Sequence, residues 1–422
     1  MSEAIRVLKD QAIAAVEANQ QELIEFCCKL IQFPSENPPG NSTPISTYIA
    51  DYLATHGIET AWHEAAPDMW NLISRIGCGD KGKKLIYCGH TDVVPAGDRN
   101  RWDFDPFAGE VKDGWILGRG ASDMKGGLAG IIFAMTILKR LGLELPGELV
   151  LAIVPDEETG GDLGVPWLLE RGLIQGDGAM IAEPSSPLNP TLGQKGACHF
   201  RLTVKGTPGH GSLAPIAGKN AITDAFRAIE EIRQVWNYPV NIPEEMKPII
   251  EISKVYMKEN ERIEYKEILE RISCNIGTIQ GGTKSNVVPD TCVVEVDTRL
   301  PFGVTGDEVL AFVRGKLDQL GIDYDIETFG FRSNANYSSP EDPVCRAIVD
   351  NISYVTNEHA YGVLQWACSD ARHFRNYSIP VLQYGPAYLP SIHNFNEKVL
   401  VEDVIRCAKV YVAAAIDFLH QG

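Results

Sequence analysis

One stretch constrains this chain more than any other: Leu85-Ile86-Tyr87-Cys88-Gly89-His90-Thr91-Asp92-Val93-Val94-Pro95, an apolar run that ends on a histidine and an aspartate two positions apart. On extended backbone, residues i and i+2 face the same side, so His90 and Asp92 enter one pocket together. An aspartate beside a histidine fixes the imidazole tautomer and raises its basicity, which is the usual support for a metal-ligating histidine. A hydrogen-bonded histidine at a strand end is the ordinary alternative. The two are told apart by whether further ligands gather around it.

The same arrangement recurs. Glu148-Leu149-Val150-Leu151-Ala152-Ile153-Val154-Pro155 is apolar almost throughout, as expected of a buried strand in a helix-covered sheet, and it delivers Asp156-Glu157-Glu158-Thr159-Gly160-Gly161. Adjacent carboxylates at the end of a buried strand repel one another unless a cation neutralises them; a solvated acidic turn is the alternative. Gly178-Ala179-Met180-Ile181-Ala182 ends on Glu183-Pro184-Ser185, and Asp123 lies in a glycine-rich loop that opens a helix from Leu128 to Leu141. A carboxylate near a helix N-terminus is also explained as a simple cap. Taken together, these residues occupy the carboxyl ends of strands or the loops beside them, where open α/β sheets bind ligands. One shared site accounts for them better than separate accidents.

Read in order, the chain predicts a helix over residues 1 to 32, a proline-rich loop, a helix from Ser42 to His56, and strands over 59–63, 71–76 and 84–89. From about Leu192 the pattern turns to α+β with antiparallel strands. It includes Gly209-His210, a charged segment over 237–271, and strands from Cys274 to Gln280 and from Thr291 to Arg299. After about 335 it returns to α/β, with a closing helix from Glu402 to Leu419 and, before it, a polar loop that carries His393. The expected architecture is an α/β mixed sheet covered by helices, over 1–190 and 335–422, with an inserted α+β domain over 191–334.

Composition narrows the function classes. A chain of 422 residues is too long for one compact core, and 44% hydrophobic with 22% charged residues is ordinary globular usage. A formal charge of -18 argues against nucleic-acid or anionic-membrane partners, which need a basic face. No apolar run of membrane-spanning length is expected, and the charged, amphipathic opening predicts a helix rather than a signal peptide. Ten cysteines without a C-x-x-C pair suit reduced, buried thiols, so a cytoplasmic location is expected.

Histidines and carboxylates without cysteine describe a two-metal hydrolase site better than a structural zinc site. Asp123 can bridge two ions, with His90 and Glu183 completing one and Glu158 and His393 the other. Such a pair lowers the pKa of a shared water from about 15.7 to about 7. Glu157 is then left over as general base, and Asp92 holds His90.

The motifs Gly89-His90-Thr91-Asp92-Val93-Val94-Pro95, Gly118-Arg119-Gly120-Ala121-Ser122-Asp123-Met124-Lys125-Gly126-Gly127, Asp156-Glu157-Glu158-Thr159-Gly160-Gly161, Glu183-Pro184 and His393-Asn394-Phe395-Asn396-Glu397 resemble, in order, those of the dizinc aminoacylase and carboxypeptidase family. That family includes acetylornithine deacetylase and succinyl-diaminopimelate desuccinylase, and the resemblance covers nearly the whole chain. It implies a zinc-peptidase-type mixed sheet covered by helices with an inserted α+β, ferredoxin-like lid and dimerisation domain, the same roles for His90, Asp123, Glu157, Glu158, Glu183 and His393, two Zn2+ with Co2+ or Mn2+ as substitutes, and a cis peptide at Asp123-Met124. It also implies a homodimer formed through the inserted domain, which sends His210, Asn286 and Arg299 toward the substrate: His210 for the oxyanion, Arg299 for a carboxylate. A turn histidine and a surface arginine are their ordinary readings. Ser369-Asp370-Ala371-Arg372 resembles the Ser-Asp-Gly-Arg turn of the desuccinylases, with Ala371 in place of glycine.

The expected activity is hydrolysis of the amide of an N-acyl-L-amino acid or short peptide. A dipeptidase or carboxypeptidase using the same site is the second reading, and a catalytically silent binding protein of the same fold the third. Gly118-Arg119-Gly120 alone is too weak to suggest a nucleotide site.

Overall fold

The computed structural model describes residues 3–78, 82–214, 216–261 and 266–421. The chain divides into two compact units. The first comprises Met1–Leu192, Tyr337–Val363 and Ser369–Gly422; the second comprises Gly193–Asn336 and Leu364–Cys368.

The first unit begins with a departure from the sequence expectation. The helix predicted over 1 to 32, whose first two residues lie outside the described residues, is two helices, Glu3–Ala18 and Gln20–Ile31. The break falls at Asn19 (φ -114°, ψ 20°), whose side-chain amide donates to the Ala15 carbonyl at 2.8 Å. An asparagine that offers its own hydrogen bond to the backbone competes with the helix ladder.

The core of this unit is a mixed sheet. Six of its strands run in the order Thr60–Ala66, Met69–Gly77, Glu148–Val154, Lys84–His90, Gly178–Ile181 and Val381–Gln383. Among these six the first two pairings are antiparallel and the next three parallel. Every residue of Glu148–Val154 is buried, as a strand covered on both faces requires. Helix Gly126–Arg140 packs on the Lys84–His90 strand and against the closing helix Val401–Leu419. By length and composition Ala121–Arg140 is apolar enough to cross a membrane, contrary to the sequence expectation, but 94% of its apolar window is buried inside the unit. Its apolar character is that of a core helix.

Residues 115–127, read from sequence as loop, open with a short strand. Trp115–Leu117 pairs antiparallel with Glu110–Lys112 on one side and Lys398–Leu400 on the other. A three-residue strand has no periodicity to betray it. Its effect is to fasten the segment before Asp123 to the segment after His393.

The second unit is a four-stranded antiparallel sheet in the order Ser273–Gly281, Thr291–Leu300, Gly196–Lys205 and Asp323–Ser333. Helices Ala221–Ile232 and Gly306–Asp318 complete a β-α-β-β-α-β chain order, the ferredoxin-like pattern. Cys198, Phe200, Leu202 and Val204 alternate into its core and meet Ala225, Ala228 and Ile232 of one helix and Val309, Val313 and Leu317 of the other.

Two glycines give contrasting expectations for stability. A Cβ on Gly127 would lie 1.9 Å from the Ala182 carbonyl oxygen, so Gly127→Ala should lower unfolding free energy by about 1–3 kcal/mol through overpacking. Gly315, in the Gly306–Asp318 helix, has nothing within 4 Å of the same position, and Gly315→Ala should raise it by about 0.5–1 kcal/mol. Urea titration of the two variants measures both.

Candidate metal centre

Strand register brings the first candidate residues level. Cys88 pairs with Ile181, so His90 and Glu183, each two residues further on, emerge at the same height, and His90 itself pairs with Val154 just before Asp156-Glu157-Glu158. His90 is 1% exposed. Its Nδ1 lies 2.9 Å from the Asp92 backbone carbonyl and 3.3 Å from the Asp92 carboxylate. A carbonyl only accepts, so Nδ1 carries a proton, which leaves Nε2 as the nitrogen that faces the carboxylates.

That Nε2 is buried with no hydrogen-bond partner among the described residues. It stands 3.4 Å from Asp123 Oδ1 and 3.5 Å from Glu183 Oε1. On the other side of Asp123, His393 Nε2 lies 3.3 Å from Asp123 Oδ2 and 3.1 Å from Glu158 Oε2. Two donors each about 2.1 Å from a tetrahedral ion stand about 3.4 Å apart, so these gaps have the span of a shared cation. The residues fit metal ions: His90, Asp123 and Glu158 form one candidate group, and His90, Glu157 and Glu183 a second. All the donors are nitrogen or oxygen, a set suited to zinc, cobalt or manganese rather than to a thiolate-loving ion.

Asp92 does more than hold a histidine. Its two oxygens accept the backbone N–H groups of Glu157 and Glu158, each at 3.2 Å, and the Asn37 side-chain amide at 3.0 Å. One carboxylate thereby locks the 157–158 turn against the neighbouring strand end. The Asp123 loop is held by Glu397, which accepts the N–H groups of Ser122 and Asp123 at 3.0 Å each and pairs with Arg119 at 2.6 Å, all within buried surroundings. The Asp123-Met124 peptide is cis.

Burial and crowding set the charges. Burial, then Glu183 and Asp370, push the Glu157 carboxyl well above its usual range, and burial with Asp123 does the same to Glu183. Burial opposes a charged His90, yet Glu183, Asp123 and Asp92 outweigh it and raise its pKa. Hydrogen bonds to Asp123 and Glu158 raise His393 to about 10. The ion-pair partners found for Asp123, Glu158 and Glu183 among the described residues are these two histidines.

The first unit thus gathers His90, Asp92, Asp123, Glu157, Glu158, Glu183 and His393. The remaining candidates belong to the second unit. His210 is exposed there, its Nδ1 accepting the Ser212 N–H at 3.2 Å, and Gly211 N–H donates to the Asn286 carbonyl at 2.9 Å, so His210 and Asn286 are neighbours. Arg299 is engaged by Asp297 at 2.9 Å, and His199 touches the same carboxylate at 3.1 Å. Sequence reasoning gave no role to Asn37, Arg119, Glu397 or Asp370. Asn37 and Glu397 act on partners 55 and about 275 positions away, which no local pattern reveals. Asp370 is buried, both its oxygens lack hydrogen-bond partners among the described residues, and burial raises it to about 6.

Residues 86–417 match peptidase family M20/M25/M40. The chain belongs to that family. It is 28% identical over 408 residues to the succinyl-diaminopimelate desuccinylase of Methylocella silvestris, covering 92% of this chain and 96% of the relative. Its fold is similar to that of an M20 metallo-carboxypeptidase from Sulfolobus solfataricus, with a TM-score of 0.79 at 19% identity over 94% of this chain and 99% of the other. It is also similar to a Bacillus subtilis protein described as a dinuclear metal-binding peptidase, with a TM-score of 0.64 at 16% identity over 95% and 98%. This M20 peptidase is a hydrolase of amide bonds whose first unit carries a candidate metal site.

Because the surrounding carboxylates raise the pKa of both His90 and His393, and an imidazole that binds a metal must be neutral, zinc uptake at pH 7 should release protons. Calorimetry in buffers of different ionisation enthalpy measures the number, and none released would contradict the arrangement. Asp92→Ala should weaken metal affinity about 10–100-fold, read by chelator competition.

Proposed function

We propose that this M20 peptidase is a metal-dependent deacylase that hydrolyses the amide of an N-acyl-L-amino acid, of desuccinylase or deacetylase type. The observation that carries this reading is the unpartnered His90 Nε2, spaced with Asp123 and Glu183 as donors around a cation, with Glu157 beside them. His90, Asp123 and Glu183 would hold one ion, and Asp123, Glu158 and His393 the other, as zinc or as cobalt or manganese. Bound there, the ions supply Lewis acidity toward the scissile carbonyl and make water acidic enough to attack at neutral pH.

The chain's own groups do the rest. Glu157 takes a proton from the attacking water and gives it to the departing amine nitrogen, a role suited to a carboxyl whose proton affinity is raised by burial. Asp92 keeps His90 in the tautomer that presents Nε2, and its hold on the amides of Glu157 and Glu158 keeps base and ligand on their separate sides. His210 would donate to the oxyanion and Asn286 would assist it, while Arg299 would exchange part of its pairing with Asp297 for a substrate carboxylate.

A homodimer through the second unit is part of this reading. Beside His210, Leu213 is 54% and Ile216 92% exposed, and Phe226 on the adjoining helix is 60% exposed, apolar surface that supports association. Ten free cysteines support a reducing, cytoplasmic setting.

The test is a panel of N-succinyl, N-acetyl and N-formyl amino acids and dipeptides, with metal-free and zinc- or cobalt-loaded protein. Amine release from acyl amino acids that disappears on chelation and returns with metal is the expected outcome. Turnover confined to dipeptides would replace the deacylase reading with a dipeptidase one. Metal uptake without turnover of any member would favour a silent scaffold. Glu157→Gln should bind metal normally and lose turnover by a factor of about 100 or more. Mixing inactive His210→Ala and Glu157→Gln proteins should restore activity through hybrid dimers; no recovery would place His210 outside a shared site.

A further inference from the structure

The ligands are not supported alike. His90 and Glu183 stand at the ends of paired, buried strands, whereas His393 lies in a loop with its side chain 52% exposed. That loop has left-handed backbone at His393 (φ 55°) and again at Asn396 (φ 59°). Side chains other than glycine adopt such backbone reluctantly, so its shape depends on what grips it.

The grip comes from three consecutive residues far away in sequence. Arg101 places its guanidinium 4.0 Å over the Phe395 ring. Trp102 meets the same ring edge-on, with centroids 6.1 Å apart, and is itself fixed by an Nε1–H donated to the Ala96 carbonyl at 2.9 Å. Asp103 and Asn396 bond reciprocally: the Asp103 backbone N–H donates to Asn396 Oδ1 at 2.8 Å, and Asn396 Nδ2 donates to Asp103 Oδ2 at 2.9 Å. Phe395 also packs on the small apolar cluster of Val93, Ala96, Trp102 and Phe107. Among the described contacts, nothing in 101–103 touches His90, Glu183 or Glu158.

We infer that residues 101–103, and Asp103 above all, are positioning residues for His393, fixing the ligand on one side of the metal pair and leaving the His90 side untouched. This rests on the two-metal reading. Asp103 is exposed, so replacing it removes the grip without opening the core.

The experiment titrates metal-free protein with zinc against a chromophoric chelator. Wild type should take up two equivalents. Asp103→Ala should weaken one of them about 10-fold or more and leave the other unchanged, while Asp103→Asn, which keeps the acceptor oxygen and discards the charge, should behave as wild type. In a His393→Ala background, Asp103→Ala should have no further effect. Hydrogen exchange of the metal-free Asp103→Ala protein should be faster at 393–397 and unaltered at 118–124. Equal weakening of both equivalents, an effect that persists without His393, or unchanged exchange at 393–397 would overturn the assignment. A single equivalent bound by wild type would instead overturn the two-metal reading, and the His393-selective role with it.

Discussion

The structure depends on one electrostatic difficulty: Asp123, Glu157, Glu158 and Glu183 converge on one place that is largely withdrawn from water, where two imidazoles are the ionic partners of Asp123, Glu158 and Glu183. Like charges withdrawn from water are costly, and the metal-free protein meets that cost by raising carboxyl and imidazole pKa values until protons neutralise the cluster. Divalent cations among the same donors would supply that neutralising charge in place of the protons. The backbone is arranged to keep the carboxylates together despite their repulsion. Asp92 accepts the amides of Glu157 and Glu158, and Glu397 accepts those of Ser122 and Asp123. Each of these supporting carboxylates binds main chain at two amides as well as a side chain, Asn37 for Asp92 and Arg119 for Glu397, so the backbone that carries the cluster is held at several points.

What the sequence discloses follows from this. His90, Glu157, Glu158 and Glu183 were legible because each follows an apolar strand, and an apolar run ending in charge has few explanations. The buried alternation of Phe200, Leu202 and Val204 is the period-2 pattern of a strand with one face on the core. The break at Asn19 was not legible, because the apolar spacing continues across it and only a side-chain bond back to Ala15 interrupts the ladder. Trp115–Leu117 was missed because three residues carry no period. Arg119 sits in a Gly-Arg-Gly motif that carries no signal of its partner, and its pairing with Glu397 joins positions 278 apart.

The charged segment over 237–271 shows the same limit in the second unit. Sequence presents it as a polar surface insertion, and it does contain a helix, Lys247–Tyr256. Its end is nevertheless fastened inside: buried Lys195 donates to the carbonyls of Ile268 at 2.7 Å and Arg271 at 2.8 Å. Burial lowers that lysine to about 7, so near neutrality it can make these bonds with or without its charge. A buried amine satisfied by carbonyls is a fixed anchor that composition alone presents as one more surface lysine.

The two sides of the candidate metal centre therefore draw on different sources of order. Around His90, losing the imidazole's position means disrupting parallel strands whose residues, Lys84 apart, are buried, a change comparable to unfolding the sheet. Around His393, position depends on a loop whose left-handed residues are held by side-chain contacts at the surface. Loop order of that kind is lost locally, at much smaller cost. Where such external contacts already fix the loop, binding an ion there spends less of its energy on ordering the chain. The exposed half of the centre is thus prepared by residues that touch neither the cluster nor its histidine.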